Sequence, residues 1–463
     1  MGSIAGKKKA ISIDEKTPLM LLAGPIFLEL FLNTLLNNVD MIMLSRYDDN
    51  AVGAVGNANT IMFMMNILFN VIATATSVVV AQYLGAKRFD KMNMIYTLSV
   101  AVNLVIGVVL SGVFCLANPL IMDFLNVSPE MRPYSMSYIY IVGGFGFLTA
   151  VFNVMLQILR CNGHTRIGMR VTFAINIVNI FGNYLFLYGP LSFLKLGVAG
   201  VAISTVVARA LAVAAVFVFF FAAKIGRISL RYLKPFPGKL LIKMITIGLP
   251  TAGENLTYNL YQTTLLSFVN SMGNDAVTAR VCCNTLISFA MIFSNASAMA
   301  TQIITGHLVG AGKSDEAYKR VFRTLRTSMP ITIALASCNA LLCRSTLRIF
   351  TDDPHIIALG QMIMIADIFV EIGRCLNMTF VSSLKAAGAY MFPLIVGILC
   401  NWGLGLTAGY TFGVLLGIGV AGIYAGTATD ECIRGLIVMY YWYKKKWVGK
   451  SVVEKKDDLA LES

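Results

Sequence analysis

Seven carboxylates stand inside apolar stretches of this 463-residue chain: Glu29, Asp40, Glu254, Asp367, Glu371, Asp430 and Glu431. A charged carboxylate at the centre of a membrane helix costs about 2.5–3.5 kcal/mol on insertion scales, so such a residue marks an ion or substrate path by default. Taking up a proton or a metal cation removes that cost, which is the chemistry these residues offer. Glu29 and Asp40 are eleven residues apart. That is nearly three helical turns, so both point the same way about 16 Å apart. Asp40 also reads as an interfacial residue, because Arg46 and Asp48 follow it. Asn179 and Asn183 are one turn apart on one helix face. They supply neutral oxygens to a cation, hydrogen bonds to a carboxylic acid, or plain helix-to-helix adhesion. Asp40, Asn179 and Asn183 together are suited to H⁺ or Na⁺.

The second half has its own set. Glu254 follows Gly-Leu-Pro-Thr-Ala-Gly, where the helix is expected to break or bend, as Pro25 is expected to weaken the helix before Glu29. Asp367, Glu371 and Arg374 form one polar stripe, with an internal Glu371–Arg374 pair as the simpler reading. Asp430, Glu431 and Arg434 are expected to pair structurally with Arg209. The histidines (His164, His307, His355) are dispersed, and the nine cysteines lack metal spacing, with only Cys282-Cys283 adjacent. Neither an enzyme nor a cofactor is expected.

What positions these groups is a membrane scaffold. Hydrophobic residues make up 57% of the chain and charged residues 13%, about half the charge of a soluble protein; mean hydropathy is +0.73. Apolar runs of twenty or more residues recur, each long enough to cross about 30 Å of hydrocarbon. Long continuous runs select helices over a barrel. The expectation is an all-α polytopic membrane protein with spans near 17–45, 51–82, 93–118, 134–159, 167–188, 197–223, 241–271, 276–308, 322–343, 355–384, 390–413 and 418–443. Alternate connections carry 28 and 6 Lys and Arg, with Arg209, Arg374 and Arg434 inside spans. The positive-inside rule then puts both termini in the cytoplasm. The net charge of +14 is thus explained by membrane sidedness, and no nucleic-acid partner is implied.

The two halves repeat at an offset of 225 residues. Pro25 and Glu29 return as Pro250 and Glu254, Asn59-Thr60 as Asn284-Thr285, and Asn70 as Asn295. Gly85-Ala86 with Asp90 returns as Gly310-Ala311 with Asp315, and Leu159-Arg160-x-x-Gly163 as Leu384-Lys385-x-x-Gly388. Aligned without a gap from 25 to 90, sixteen of sixty-six positions are identical. Six spans per half make the repeats parallel, the arrangement by which carriers build sites at repeat interfaces. The expected divisions are a tail at 1–16, a lobe at 17–223, a basic Pro- and Gly-containing linker at 224–240, a lobe at 241–445, and a tail at 446–463 that is charged and disordered after Trp447.

These residues resemble the multidrug and toxic compound extrusion (MATE) family of antiporters, most closely its bacterial members. The resemblance runs from about 17 to 445. It rests on Gly24-Pro25 ahead of Asp40, Val-Ala-Gln82-x-x-Gly85-Ala86, Leu159-Arg160-x-x-Gly163, Asn179-x-x-x-Asn183-Tyr-Leu-Phe, Gly197-Val-Ala-Gly200, and Ser383-Leu-Lys-Ala-Ala-Gly388. It implies a V-shaped pair of six-helix lobes exporting organic compounds, cationic or amphipathic, in exchange for inward H⁺ or Na⁺ across the inner (cytoplasmic) membrane. It also implies a first-lobe cation site to which Asp40, Asn179 and Thr205 correspond. Asn183 stands where many members have Asp, one charge fewer. Acids on spans seven and ten serve some members; Glu254 matches the first loosely, and Glu371 or Asp367 fills the second. Glu29 is a further candidate, a monomer is expected, and a lipid-linked saccharide flippase of the same superfamily is the alternative function.

Overall fold

The computed structural model describes residues 13–124, 127–190, 192–194, 196–348 and 351–453. The basic run Lys7-Lys8-Lys9, Lys195 and the tail beyond 453 lie outside the described residues. Among the described residues, twelve helical spans follow in order. They are α1 (Leu19–Ser45), α2 (Asp49–Gly85), α3 (Met92–Phe124), α4 (Arg132–Gly143, continuing after a 46° bend as Gly146–Cys161), α5 (Thr165–Leu187) and α6 (Val198–Ala222). The second series is α7 (Gly238–Asn270), α8 (Asn274–Gly310), α9 (Ser314–Leu347), α10 (Pro354–Ala386), α11 (Met391–Leu415) and α12 (Val420–Tyr443).

Among the described residues, nine helices are long and apolar enough to cross a bilayer, and the bent α4 makes a tenth. The other two, α7 and α12, are spans of unusual polarity. α7 is rich in Thr, Asn and Tyr, and α12 carries Asp430, Glu431 and Arg434 within five residues. The outer surface is apolar, with Leu116, Leu120, Val218, Ile242 and Leu341 exposed, while charged side chains are buried. That inversion is the mark of a chain solvated by lipid.

The helix expected to break or bend near Pro250 is continuous from Gly238 to Asn270, as α1 is through Pro25. In hydrocarbon the flanking backbone groups have no solvent partner, so the helix outlasts the single N–H that proline removes. Disruption falls elsewhere. α4 bends after a π-helical turn at Ile139–Gly143, and α11 contains two π-helical segments, Leu399–Gly405 and Thr411–Leu415.

The chain divides into two compact units. Unit 1 contains residues 28–84 and 88–248; unit 2 contains 14–27, 85–87 and 249 onward. Unit 1 packs around Leu44, Val55, Met122, Ile139, Leu187 and Val201. Unit 2 packs around Tyr261, Leu265, Cys283, Ile363, Val370 and Ile423. In unit 2, α10 and α12 approach so closely that a Cβ on Gly373 would lie 2.6 Å from the Cys432 nitrogen.

Beyond Trp447, where disorder is expected, Val448 to Ser451 are exposed, while Val452 is buried. Trp447 is 1% exposed and stacks on Trp442 at 4.1 Å, donating its indole N–H to the Trp442 carbonyl at 3.2 Å. Val452 is also buried, and a Cβ at Gly388 would overlap the Lys450 carbonyl. Composition flagged the charges beyond Trp447 and missed the apolar anchor Val452.

Candidate functional site

In unit 1 one hydrogen-bonded chain joins α1, α5 and α6. Asn183 Nδ2 donates to Asp40 Oδ1 at 2.7 Å and to Asn179 Oδ1 at 3.2 Å. Asn179 Nδ2 donates to Thr205 Oγ1 at 3.1 Å, and Thr205 donates to the Val201 carbonyl. Ser204 donates to the Asn179 carbonyl at 2.9 Å, locking α6 on α5. Asn183 is 0% exposed, and its Oδ1 has no partner among the described residues. The structure therefore brings together all four residues singled out for this lobe.

Two neighbours of the cluster were not anticipated. Tyr138, on α4 just before its bend, hydrogen-bonds with Thr205. Arg209, one turn beyond Thr205 on α6, lies within electrostatic range of Asp40 and donates to Thr149 Oγ1 at 3.0 Å. Asp430 and Glu431, the expected partners of Arg209, find a cation within their own unit. Those two acids are held by Arg434 of their own helix, at 3.0 and 2.8 Å. Spacings of three and four residues put the partner on the same face, so local pairing wins over a distant one.

Glu29 and Glu254 are each matched by a cation. Arg160 donates to Glu29 at 2.6 Å, with the two side chains 4% and 2% exposed. Lys385 lies 2.8 Å from Glu254, with 11% and 14% exposed. Residues 29 and 254 differ by 225, as do 160 and 385. The pair is thus duplicated with the helices that carry it. Two repeated motifs visible in the sequence, Pro-x-x-x-Glu and Leu-Arg/Lys-x-x-Gly, are the two sides of one contact.

Asp367, Glu371 and Arg374 sit on α10, all buried. Glu371 and Arg374 are paired, as the simpler reading had it, while Asp367 Oδ1 and Glu371 Oε2 have no partner among the described residues. Asn377 donates to Glu431 at 3.0 Å, and the Arg434 guanidinium lies 5.6 Å over the Tyr258 ring. Acids and arginines of α10 and α12 thus form one buried network.

Unit 2 does not repeat the unit 1 cluster. The 225-residue offset puts Leu265 where Asp40 stands. Gly200 packs on Phe186 and Gly422 on Phe412, while Asn183 meets Asp40 and Gly409 meets Leu265. Both comparisons advance α5 onto α11 by 226 residues, which sets Gly405 against Asn179 and Gly409 against Asn183. Gly197 and Gly419, both with positive φ, open α6 and α12, so Thr427 matches Thr205. Only the threonine survives. Among the described residues, no group of three or more His, Cys, Asp or Glu is placed to hold a metal ion.

The MatE family model matches residues 25–185 and again residues 250–411, one match for each helical series. The chain belongs to the MatE family. It is a multi-pass membrane transporter. An uncharacterized transporter, YisQ of Bacillus subtilis (strain 168), is 34% identical over 97% of this chain and 98% of its own length. A probable multidrug resistance protein NorM of Thermotoga maritima is 26% identical over 94% of each chain. The fold is shared with an outward-facing multidrug resistance MATE transporter of the MOP superfamily. The TM-score there is 0.88 at 18% identity, covering 95% of this chain and 98% of that one. In this MatE chain the site on α1, α5 and α6 is polar in one repeat and apolar in the other, so the two halves have diverged in chemistry.

Proposed function

We propose that this MatE protein exports small organic compounds, amphipathic or cationic, in exchange for protons, with Asp40 as the carboxyl that fills and empties. The observation carrying this reading is the bonded chain Asp40–Asn183–Asn179–Thr205, which ties the state of one carboxyl to the packing of three helices. Protonation changes which groups Asp40 attracts, and α1, α5 and α6 repack in response. Two features favour H⁺ over Na⁺. An N–H of Asn183 already points at Asp40, and the Arg209 guanidinium lies in electrostatic range. A metal ion there meets a donor and a fixed positive charge.

The chain is placed in the cytoplasmic membrane with both termini inside, supported by the 28-to-6 distribution of Lys and Arg. Two six-helix lobes joined near 224–240 alternate access to substrate. Glu29 and Glu254 are assigned to holding their helices through Arg160 and Lys385, whereas Asp367 and Glu371 keep oxygens available for a cation.

The test is accumulation of a fluorescent organic cation in proteoliposomes under an imposed pH or Na⁺ gradient. The reading expects pH-driven uptake, no response to Na⁺, and loss of pH-driven uptake in Asp40→Asn. Undiminished pH-driven uptake by Asp40→Asn refutes it.

A further inference from the structure

In unit 1 a cleft of about 730 Å³ opens between the start of α3, the end of α6 and the chain that follows α6. That is the size of a small-molecule site. Phe89, Asn93, Asn162, Phe221, Lys224 and Arg227 are among the residues lining it. One wall is fixed to α3, because the Arg227 N–H donates to Asn93 Oδ1 at 2.8 Å and the Ser229 N–H to Thr97 Oγ1 at 3.2 Å. A Cβ on Gly226 would lie 2.8 Å from Asn93 Oδ1 and 2.9 Å from the Tyr96 ring, so the chain is pressed against α3 there. The backbone beneath Lys224 and Arg227 is thus held in place. Among the described residues, neither of these side chains has a hydrogen-bond or ion-pair partner.

The repeat shows how they came to lack one. Among the described residues, three that are not glycine have positive φ, and all are lysines two residues past a helix end: Lys87, Lys224 and Lys445. Glycine takes this conformation freely and lysine does not, which points to a use for the charge. In unit 2, Lys445 follows α12 as Lys224 follows α6. It lies 2.6 Å from Asp315 and over the Tyr318 ring, while Lys313 takes Glu316 at 3.0 Å. Going back 225 residues turns Lys313, Asp315 and Glu316 into Arg88, Asp90 and Lys91. With the glutamate exchanged for a lysine, Arg88 takes Asp90 at 3.3 Å, and Lys224 has no acid left. Arg227 adds a second positive charge to the same cleft. Ser314 becomes Phe89, and Phe89 and Phe221 are both exposed, which gives the cleft an apolar lip. Phe217 stacks beside Phe221 at 6.2 Å and continues that apolar surface along α6. A lone cation past a helix C-terminus is ordinary. Two of them lining one cleft, flanked by bare aromatic rings, call for an amphipathic anion.

We propose that this cleft binds the phosphodiester headgroup of an anionic phospholipid, with Lys224 and Arg227 on the phosphate and an acyl chain against Phe221 and Phe217. Basic pockets at helix ends on the cytoplasmic face, the face assigned above to this linker, recognise such headgroups. Arg227 offers a fork of N–H donors to the phosphate oxygens, and Lys224 a point charge. A soluble phosphate ester gains nothing from the exposed rings, which favours the lipid. The site is separate from Asp40 and owes nothing to the exchange reading.

Native mass spectrometry of the full-length protein, released from detergent with added lipid, counts bound lipids and gives their affinities. Wild type should hold one phosphatidylglycerol about tenfold or more tightly than phosphatidylcholine. Lys224→Gly, which suits the positive φ, combined with Arg227→Gln should weaken phosphatidylglycerol about thirtyfold, about fivefold per cation, and leave phosphatidylcholine unchanged. Arg231→Gln with Lys234→Gln removes the same charge from the linker outside the cleft and should leave both affinities unchanged. A cleft variant that loses no more than this linker variant overturns the proposal, as does a wild type with no preference for phosphatidylglycerol. Glycerol 3-phosphate displacing the lipid at equal concentration would make a soluble phosphate ester the occupant and overturns it too. If the cleft double variant does not fold, Arg227→Gln alone is read against Lys234→Gln, and equal effects overturn the proposal in the same way.

Discussion

Removing the arginine from the Glu29–Arg160 pair should cost more than removing both partners. The nitrogen and oxygen are 2.6 Å apart with both side chains almost wholly buried. At an effective dielectric constant of about 20, charges at that separation attract by about 6 kcal/mol. Most of that repays desolvation, and Arg160 Nε and Glu29 Oε2 have no hydrogen-bond partners to help among the described residues. Arg160→Met leaves Glu29 buried and charged, so about 3–5 kcal/mol of stability should be lost. The double variant Glu29→Gln, Arg160→Met leaves no buried charge and should recover most of that loss. Lys385→Met should cost less than Arg160→Met, because the Glu254–Lys385 pair retains 11% and 14% exposure and water can reach the orphaned acid. Reversible unfolding by SDS titration of purified protein gives each free energy, and the double-mutant cycle gives the coupling. Arg160→Met within about 1 kcal/mol of wild type, or no better than the double variant, would refute the assignment.

Three further outcomes follow from the geometry. Trp447→Ala removes a buried ring stacked on Trp442 and should destabilise by about 3–5 kcal/mol, checked by thermal denaturation; an unchanged midpoint would show that the segment does not dock. Gly373→Ala puts a Cβ 2.6 Å from the Cys432 nitrogen and should cost about 1–3 kcal/mol, read in the same SDS titration, with no loss contradicting the close crossing of α10 and α12. Asn183→Asp sets a second carboxylate against Asp40, where a cation relieves the repulsion. Uptake by that variant should gain a response to an imposed Na⁺ gradient, and continued indifference to Na⁺ would count against the charge argument.

The fold was legible because the bilayer forces it. Among the described residues, each of the twelve helices lies where an apolar run stood in the sequence, including the polar α12 and the polar α7, whose Pro250 and Glu254 repeat Pro25 and Glu29. Asp40, Asn179 and Asn183 were legible because a buried acid and a one-turn pair of amides have few partners in hydrocarbon, whereas Thr205 was named only by the resemblance to the MATE family. Arg209 was misplaced for a different reason. Its partner depends on how α6 turns against α1 and α4, and spacing along one helix says nothing of that. The π-helical turns of α4 and α11 leave no compositional trace, so the places where those two helices depart from α-helical geometry were out of reach. The Glu29–Arg160 and Glu254–Lys385 contacts were within reach. Two acids and two bases kept the same offset, and a charge buried twice in the same place needs a counter-charge duplicated with it.

Linkage offers the most direct test of the central claim. If Asp40 exchanges its proton against substrate, the two must weaken each other's binding reciprocally. The affinity of the purified protein for a fluorescent organic cation, measured across pH, should then fall on acidification by up to about tenfold per pH unit for one proton exchanged. Asp40→Asn should bind the same probe with an affinity that no longer responds to pH in that range. A slope that survives unchanged in Asp40→Asn would contradict the account.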